Sequence, residues 1–291
     1  MKRKVALLSM DSLEKFKCYD KLLIEPMKKQ NWLAEEISWR DEPVNWSSFD
    51  AVIVRSTWDY QSDPKKFINV LTKINNSSAH LENDLEMMKW NMNKHYLQDL
   101  TDKNILTVET IWQNEFNIEK IKNYFLLLDT NEIIIKPNIS ASAENTFRLI
   151  LDELIKKQKK LETIFSNRDF MIQPFMPKII SEGEYSLFYF NGQYSHAILK
   201  VPKSKDFRVQ EEHGGKIFPV NPDVTLKKDA ENILSKLSTI PLYARIDLVR
   251  TSSDDFALME LELIEPSLYF NLDEKSPERF VNAFIKKMNS L

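Results

Sequence analysis

The sequence predicts a mixed α/β and α+β chain, and three observations carry that prediction. Over residues 1–85, short apolar runs alternate with helical patterns, which favours a parallel sheet. From Phe170 onward the runs become strand-rich, with helices only at their flanks. Only four glycines occur in 291 residues: Gly183, Gly192, Gly214 and Gly215. Neither the dinucleotide fingerprint G-x-G-x-x-G nor the phosphate loop G-x-x-x-x-G-K-[ST] can be written with them. Any nucleotide must therefore be held without a glycine-rich loop.

Taken in order, Val5–Leu8 and Ala51–Val54 read as strands, with a helix from about Ser12 to Lys29 and a further strand over Ala34–Trp39 between them. Beyond Val54 come Arg55-Ser56-Thr57-Trp58-Asp59-Tyr60. In parallel sheets, ligands gather past the C-terminal strand ends. A cation, hydroxyls, a carboxylate and two aromatics in six residues suit recognition of a small polar molecule. The same segment is equally readable as a capped turn, with Asp63-Pro64 opening the next helix. Asn83–Leu100 is helical in pattern. A small α/β unit follows: strand Leu106–Ile111, helix Glu119–Leu128, strand Ile133–Ile135 ending in Lys136-Pro137, and helix Glu144–Lys159. The last unit holds strands Phe170–Gln173, Tyr185–Phe190, Gln193–Lys200, Tyr243–Val249 and Phe256–Ile264, flanked by helices over Leu226–Leu237 and Pro277–Met288. The expected division is 1–85, 86–172 and 173–291.

Composition narrows the function. A net charge of −3 argues against a nucleic acid or a membrane surface as partner. With the single cysteine Cys18 no internal disulfide can form, and the cytosol is the expected compartment. Asp11 cuts the apolar start short of a signal-peptide core, and no apolar run reaches the ~18 residues that span a bilayer. The four histidines show no zinc spacing.

The densest chemistry is acidic. Glu260 and Glu262 stand two apart in the apolar run LMELELIEP, so on a strand they share a face, about 7 Å apart by strand rise. Arg245-Ile246-Asp247 lies in a second such run, and antiparallel pairing would set Asp247 opposite the Glu pair. Buried carboxylates that close repel unless a cation sits between them, and hard oxygen donors suit Mg2+. A solvated face of alternating charge remains the other reading.

Around these acids stand Lys94, Lys136, Gln173-Pro174-Phe175-Met176, Gly183-Glu184, Asp206-Phe207-Arg208 and His213-Gly214-Gly215. In that order they resemble the ATP-grasp superfamily of carboxylate–amine ligases, nearest its RimK-type and glutathione-synthetase-like branch. The stretches RSTWDY, GEYSLFYF, SHAILK, DFRVQEEHGG and LMELELIEP are similar to its ring-closing ligases. The likeness covers nearly the whole chain. Each motif is short, and specificity comes from the ordered set.

The resemblance implies an ATP-grasp fold behind an N-terminal parallel-sheet domain, with ATP clamped between two α+β units. It implies that Lys94 and Lys136 reach the α- and β-phosphates, and that backbone groups of Gln173, Pro174, Phe175 and Met176 read the adenine edge. Glu184 would hold the ribose, with Glu182 as fallback, and Lys200 would add charge at the phosphates. Asp247, Glu260 and Glu262 would bind Mg2+, with two ions expected and Mn2+ able to substitute. The family usually has Asn where Glu262 stands, and Glu265 has no assigned task. Arg208 and Arg245 are the candidates for an acyl-phosphate, and Gly214 and Gly215 would let backbone N–H groups approach an anion. For Arg208 the other reading is a loop arginine paired with Glu211 or Glu212. Arg55, Thr57, Trp58, Asp59 and Tyr60 would face the substrates, and a lid over residues 137–170 would close on ATP. The implied activity is amide formation from a small carboxylate and a small amine, with ADP and phosphate released. The competing readings are a non-catalytic nucleotide-binding regulator and a kinase that stops at phosphoryl transfer. A homodimer is compatible with the chain, whose oligomeric state the sequence leaves open.

Overall fold

The computed structural model describes residues 2–141, 143–204 and 206–290. The first sheet is parallel, with its strands side by side in the order Trp32–Ser38, Arg3–Ser9, Ala51–Ser56 and His80–Glu82. It is built from β1 (Arg3–Ser9), α1 (Ile24–Lys29), β2 (Trp32–Ser38), β3 (Ala51–Ser56), α2 (Pro64–Asn75) and β4 (His80–Glu82). The start of α2 follows local rules: the Asp63 carboxylate accepts from the Lys66 amide at 3.1 Å, and Pro64 occupies the first turn.

Two short helices, α3 (Leu85–Met92) and α4 (Tyr96–Asp102), lead into the second sheet. Its elements are β5 (Ile111–Gln113), α5 (Ile118–Leu127), β6 (Ile133–Pro137), β7 (Phe147–Leu149), α6 (Leu151–Lys156), α7 (Gln158–Phe165) and β8 (Phe170–Pro174). These strands pair antiparallel in the order β5-β8-β6-β7. After α8 (Lys178–Ser181) come β9 (Glu184–Phe190), β10 (Gln193–Val201), β11 (Lys216–Pro219), α9 (Val224–Leu234), β12 (Tyr243–Arg250), β13 (Phe256–Glu262) and α10 (Ser276–Met288). The third sheet is also antiparallel, in the order β11-β10-β9-β12-β13. No helix among the described residues is long and apolar enough to cross a membrane.

The first and third sheets share one core. Val5, Leu7 and Ile53 pack into the same buried cluster as Phe188, Phe190, Tyr243, Phe280 and Phe284. Polar side chains tie the same parts together. The Tyr243 hydroxyl lies 2.7 Å from the Val54 carbonyl and 2.8 Å from the Ile264 carbonyl. Asn83 donates to the Tyr243 and Leu263 carbonyls at 3.0 and 2.8 Å and accepts from the Leu242 amide at 2.7 Å.

At the edge of the third sheet, β13 would present unpaired backbone groups. Helices α3 and α4 cover them with side chains. Asn91 donates to the Leu261 carbonyl at 2.8 Å and accepts from the Leu263 amide at 2.9 Å. The Tyr96 hydroxyl accepts from the Leu261 amide at 3.0 Å. This clamp holds the backbone on both sides of Glu262 and directly after Glu260.

Four expected elements differ. The helix expected from Ser12 shrinks to a 3-10 turn, Asp20–Leu23, followed by α1. Pro26 explains this: it is tolerated in a first turn but would break the interior of a longer helix. The helix expected over Asn83–Leu100 breaks at Asn93, which is extended, its side chain accepting from the His95 amide at 3.0 Å. Of the strand expected over Leu106–Ile111, Thr107 makes only an isolated bridge to Leu258, and β5 begins at Ile111. Finally, the expected helix Glu144–Lys159 is helical only from Leu151, as α6 and the start of α7, and its first part is β7, because Phe147 and Leu149 pair with β6 opposite Ile135 and Ile133. The strands β4, β7 and β11 carry too few residues to show a period in sequence.

Replacing Asn91 with Ala leaves two buried backbone groups, the Leu261 carbonyl in β13 and the Leu263 amide just past it, without partners. The expected cost is ~2–4 kcal/mol. It should appear as a lower urea midpoint at unchanged slope, and a change below ~0.5 kcal/mol would mean that water replaces the side chain freely.

Candidate active site

The acids and bases that the sequence spreads over 170 residues converge on one cleft. It holds about 1540 Å³ of space, counting what is open to solvent. Its floor is the β12–β13 pair, in which Asp247 faces Glu260 and Arg245 faces Glu262. Asp247, Glu260 and Glu262 each place one carboxylate oxygen within 4.8 Å of the others. Neighbouring β9 places Ser186 opposite Asp247, and β10 sets Lys200 opposite Glu184.

Cations thread between these acids. Lys200 pairs with Glu184 and lies 3.2 Å from Asp247. Arg245 donates through Nη2 to Asp247 at 2.9 Å and also pairs with Glu262. Lys94 reaches Glu260 at 2.9 Å and donates to the Ser140 carbonyl at 2.9 Å. The break between α3 and α4 is what turns Lys94 inward, its own amide donating to the Asn138 carbonyl at 2.9 Å. Lys136, at the end of β6, lines the cleft with no hydrogen-bond or ion-pair partner among the described residues.

Burial and charge set the protonation. Burial would raise the Asp247 carboxyl, but Arg245 and Lys200 hold it down at about 2. Burial likewise opposes ionisation of Glu260, yet Lys94 and Lys136 keep it below the usual range. For Glu262 burial prevails over Arg245, with Glu260 and Asp247 adding repulsion, and its carboxyl rises to about 7. Burial would strip Lys200 of its proton, but Asp247 and Glu184 raise it above the usual lysine range. Burial lowers Lys136, and Lys94 adds to this against the pull of Glu260. Burial and then Glu262 push the Glu265 carboxyl well above the usual range.

The donor set fits a divalent cation. Three hard oxygens within reach of one ion match Mg2+, and such an ion would relieve the repulsion from Glu260 and Asp247 that adds to burial in lifting Glu262.

Pro174, Phe175 and Met176 line the opposite wall together with Gln173. The Gln173 side chain donates to Thr110 at 2.9 Å, and the Phe175 amide donates to the Glu132 carbonyl at 2.9 Å. Those two donors are therefore committed within the protein. The Phe175 ring sits 3.7 Å from the Arg148 guanidinium carbon and meets Phe207 edge-on at 6.4 Å. Trp58, Tyr60, Tyr269 and Phe16 add aromatic faces to the lining.

Several expected positions fall elsewhere. Arg55 does not line the cleft. It is 1% exposed, and its guanidinium binds Asp20 at 3.0 Å and the Pro266 carbonyl at 3.1 Å. Thr57 is fully buried, and Asp59 accepts from Trp39 at 2.6 Å and Arg40 at 2.7 Å. Of that run only Trp58 and Tyr60 reach the cleft. The amides of Gly214 and Gly215 are spent inside their own turn, donating to the Glu211 and Gln210 carbonyls at 2.9 and 3.1 Å, which leaves neither free for an anion. Gly214 adopts φ +83°, and a Cβ on Gly215 would lie 2.1 Å from the Val209 oxygen, so the pair serves turn closure. Arg208 lines the cleft, but its guanidinium is engaged by Asp206 at 2.9 Å rather than by Glu211 or Glu212. Glu182, the fallback for Glu184, accepts from Arg250 and Tyr185 at 2.9 Å and lies outside the lining. Phe16 and Tyr269 had no signal in the sequence. One sits in a loop that reads as helix, and the other follows the last strand after a proline.

The D-cycloserine synthetase DcsG N-terminal domain matches residues 5–83, and the prokaryotic glutathione synthetase ATP-grasp domain matches residues 91–260. The cycloserine biosynthesis protein DcsG of Streptomyces lavendulae is 23% identical over 284 residues, 91% of this chain and 92% of that protein. The crystal structure of D-cycloserine synthetase DcsG superposes with a TM-score of 0.87 at 22% identity, covering 98% of this chain and 99% of that one. D-alanine–D-alanine ligase from Bacillus anthracis gives 0.69 at 13% identity, covering 99% and 98%. The ATP-grasp ligase PsnB with its minimal precursor gives 0.68 at 15%, covering 99% and 100%. These structural likenesses bear on the fold.

The raised Glu262 carboxyl has a consequence for stability. Its folded value, about 7, lies above the ordinary 4.5. Stability linked to this group is therefore fully present below about pH 4.5 and lost as pH rises through about 7. In chelator, Glu262→Gln should gain on the parent protein by ~1–3 kcal/mol between pH 5 and pH 8. Added Mg2+ should shrink that gap. Parallel melting curves with no pH dependence of the difference would refute the assignment.

Proposed function

The chain belongs to the prokaryotic glutathione synthetase ATP-grasp family, and from that premise we propose that it is a Mg2+- and ATP-dependent carboxylate–amine ligase working through an acyl-phosphate. The observation that carries this reading is the meeting of Lys136, a cleft-lining cation without an anion, with the Asp247, Glu260 and Glu262 carboxylates. A nucleotide phosphate chain is the ligand that satisfies both, directly at the lysine and through a divalent ion at the acids.

Lys94 and Lys136 receive the phosphates in this reading. Phe175 and Met176 flank the base, Glu184 and Lys200 stand at the ribose and phosphate side, and Asp247, Glu260 and Glu262 hold Mg2+. When bound, that ion neutralises the phosphate oxygens and orients the γ-phosphoryl group. A substrate carboxylate attacks the γ-phosphorus and ADP leaves. The amine then attacks the acyl carbon, and phosphate leaves with the C–O bond pair as the amide forms. Arg245, two residues before Asp247 on the same face, offers a planar guanidinium to the acyl-phosphate, and Arg208 becomes available to it when Asp206 releases it. Catalysis is then mostly positioning and charge neutralisation.

A small acceptor is preferred in this reading, with the Phe16 and Trp58 rings, 5.4 Å apart, among the residues that would shape its pocket. A lid over residues 137–170 and the division at 85 and 172 belong to the same reading.

Glu260→Gln should cut MgATP turnover by ~10³-fold or more while the melting temperature holds within a few degrees. Hydroxylamine added to the parent reaction should yield a hydroxamate from the trapped acyl-phosphate. Stoichiometric ATP binding with no ADP release across carboxylate–amine pairs would instead favour a regulator. A stable phosphorylated product without amide would favour a kinase.

A further inference from the structure

The acids that line the cleft are not equally matched. Glu184 meets Lys200, Glu260 meets Lys94 and Glu262 meets Arg245. Glu265 is 8% exposed, lines the same cleft, and has no cation or hydrogen-bond donor on its carboxylate among the described residues. A buried carboxyl in that condition stays protonated, and it ionises only when something cationic arrives to pair with it.

The backbone carrying it is pinned on three consecutive carbonyls. The Trp58 indole donates to the Glu265 carbonyl at 2.8 Å, Arg55 to Pro266 at 3.1 Å and Arg245 to Ser267 at 3.4 Å. The donors come from the first sheet and from β12, so the strap joins two units at the cleft wall. Arg55 itself is backed by Asp20 and lies over the Tyr243 ring at 5.2 Å. An unpaired carboxylate is thus held rigidly in place, on a segment that no other task explains. Trp58, Tyr60 and Tyr269 line the same cleft, and aromatic faces attract an organic cation where metal ions prefer oxygen.

We propose that Glu265 is a specificity-determining residue that binds a protonated amine on the substrate, making the ligated molecule amino-acid-like, with Arg55 and Trp58 as positioning residues that act through the 265–267 strap. This rests on the ligase reading, which requires a carboxylate on the substrate; Glu265 adds an ammonium to it.

The test is isothermal titration of the full chain with MgADP present, comparing D-alanine, L-alanine and β-alanine with propionate, an acid of the same carbon count lacking the amine. At least one amino acid should bind roughly tenfold or more tightly than propionate, the expected worth of one charged hydrogen bond. Glu265→Gln, which keeps the shape, should erase that preference, while MgADP affinity and its Mg2+ requirement stay within about twofold. The MgADP titration also reports that the variant is folded. Absence of any amine preference in the parent, or its survival in E265Q, would overturn the proposal. A shifted Mg2+ requirement in E265Q would also overturn it, by marking Glu265 as a metal-side group. Should MgADP not bind the parent at all, the ligase reading fails, and the same amine titrations without nucleotide still decide the role of Glu265.

Discussion

The structure depends on how Asp247 is neutralised. This carboxylate is 2% exposed and sits between Arg245 and Lys200, with Ser186 donating to one of its oxygens. Removing either cation would leave a buried charge uncompensated, which is far costlier than never having built the pair. The pairing therefore constrains everything around it. β9, β10, β12 and β13 must be in register for Ser186, Lys200, Arg245 and Glu262 to arrive together. Around that fixed centre the cleft is lined by the acids Glu184, Glu260, Glu262 and Glu265 and by the cations Lys94, Lys136, Lys200 and Arg245. Two of these groups, Lys136 and Glu265, remain unmatched. In the proposed reading a ligand's charges complete the network there, an anion at Lys136 and a cation at Glu265.

Each unit of the chain contributes by a local departure from regularity. The second sheet delivers Lys136 at a strand end. The helical pair delivers Lys94 because Asn93 breaks the helix, and the same pair clamps the edge of β13 through Asn91 and Tyr96. The first sheet delivers Trp58 and Tyr60 directly, and acts through Arg55 on the strap that carries Glu265. In a site built this way, burial raises the energetic stakes of every charge, and the polar network is rigid because each member holds its neighbours.

Much of this was legible in sequence where a short-range rule applied. The period-two spacing of Glu260 and Glu262 put them on one face, and the apolar run before Lys136 ended where the lysine enters the cleft. The parallel first sheet followed from alternating patterns. What escaped was set by tertiary context. Arg55 stands beside Trp58 in a run of polar and aromatic residues, yet which way it points depends on Asp20 and Pro266, distant in sequence. Gly214 and Gly215 look like an anion nest, but the turn consumes their amides. The strand β7 reads as helix because only its pairing with β6 selects the extended form. Glu265 could not be told from any other acid, since its significance lies in what it lacks.

The most direct test of the central claim is where a divalent ion and a phosphate chain settle in the crystal. With Mn2+ and a non-hydrolysable ATP analogue, the account predicts an anomalous peak bonded to Asp247, Glu260 and Glu262, with Lys94 and Lys136 on the phosphates and Glu265 off the metal. A peak elsewhere, or phosphates that leave Lys136 without a partner, would contradict it.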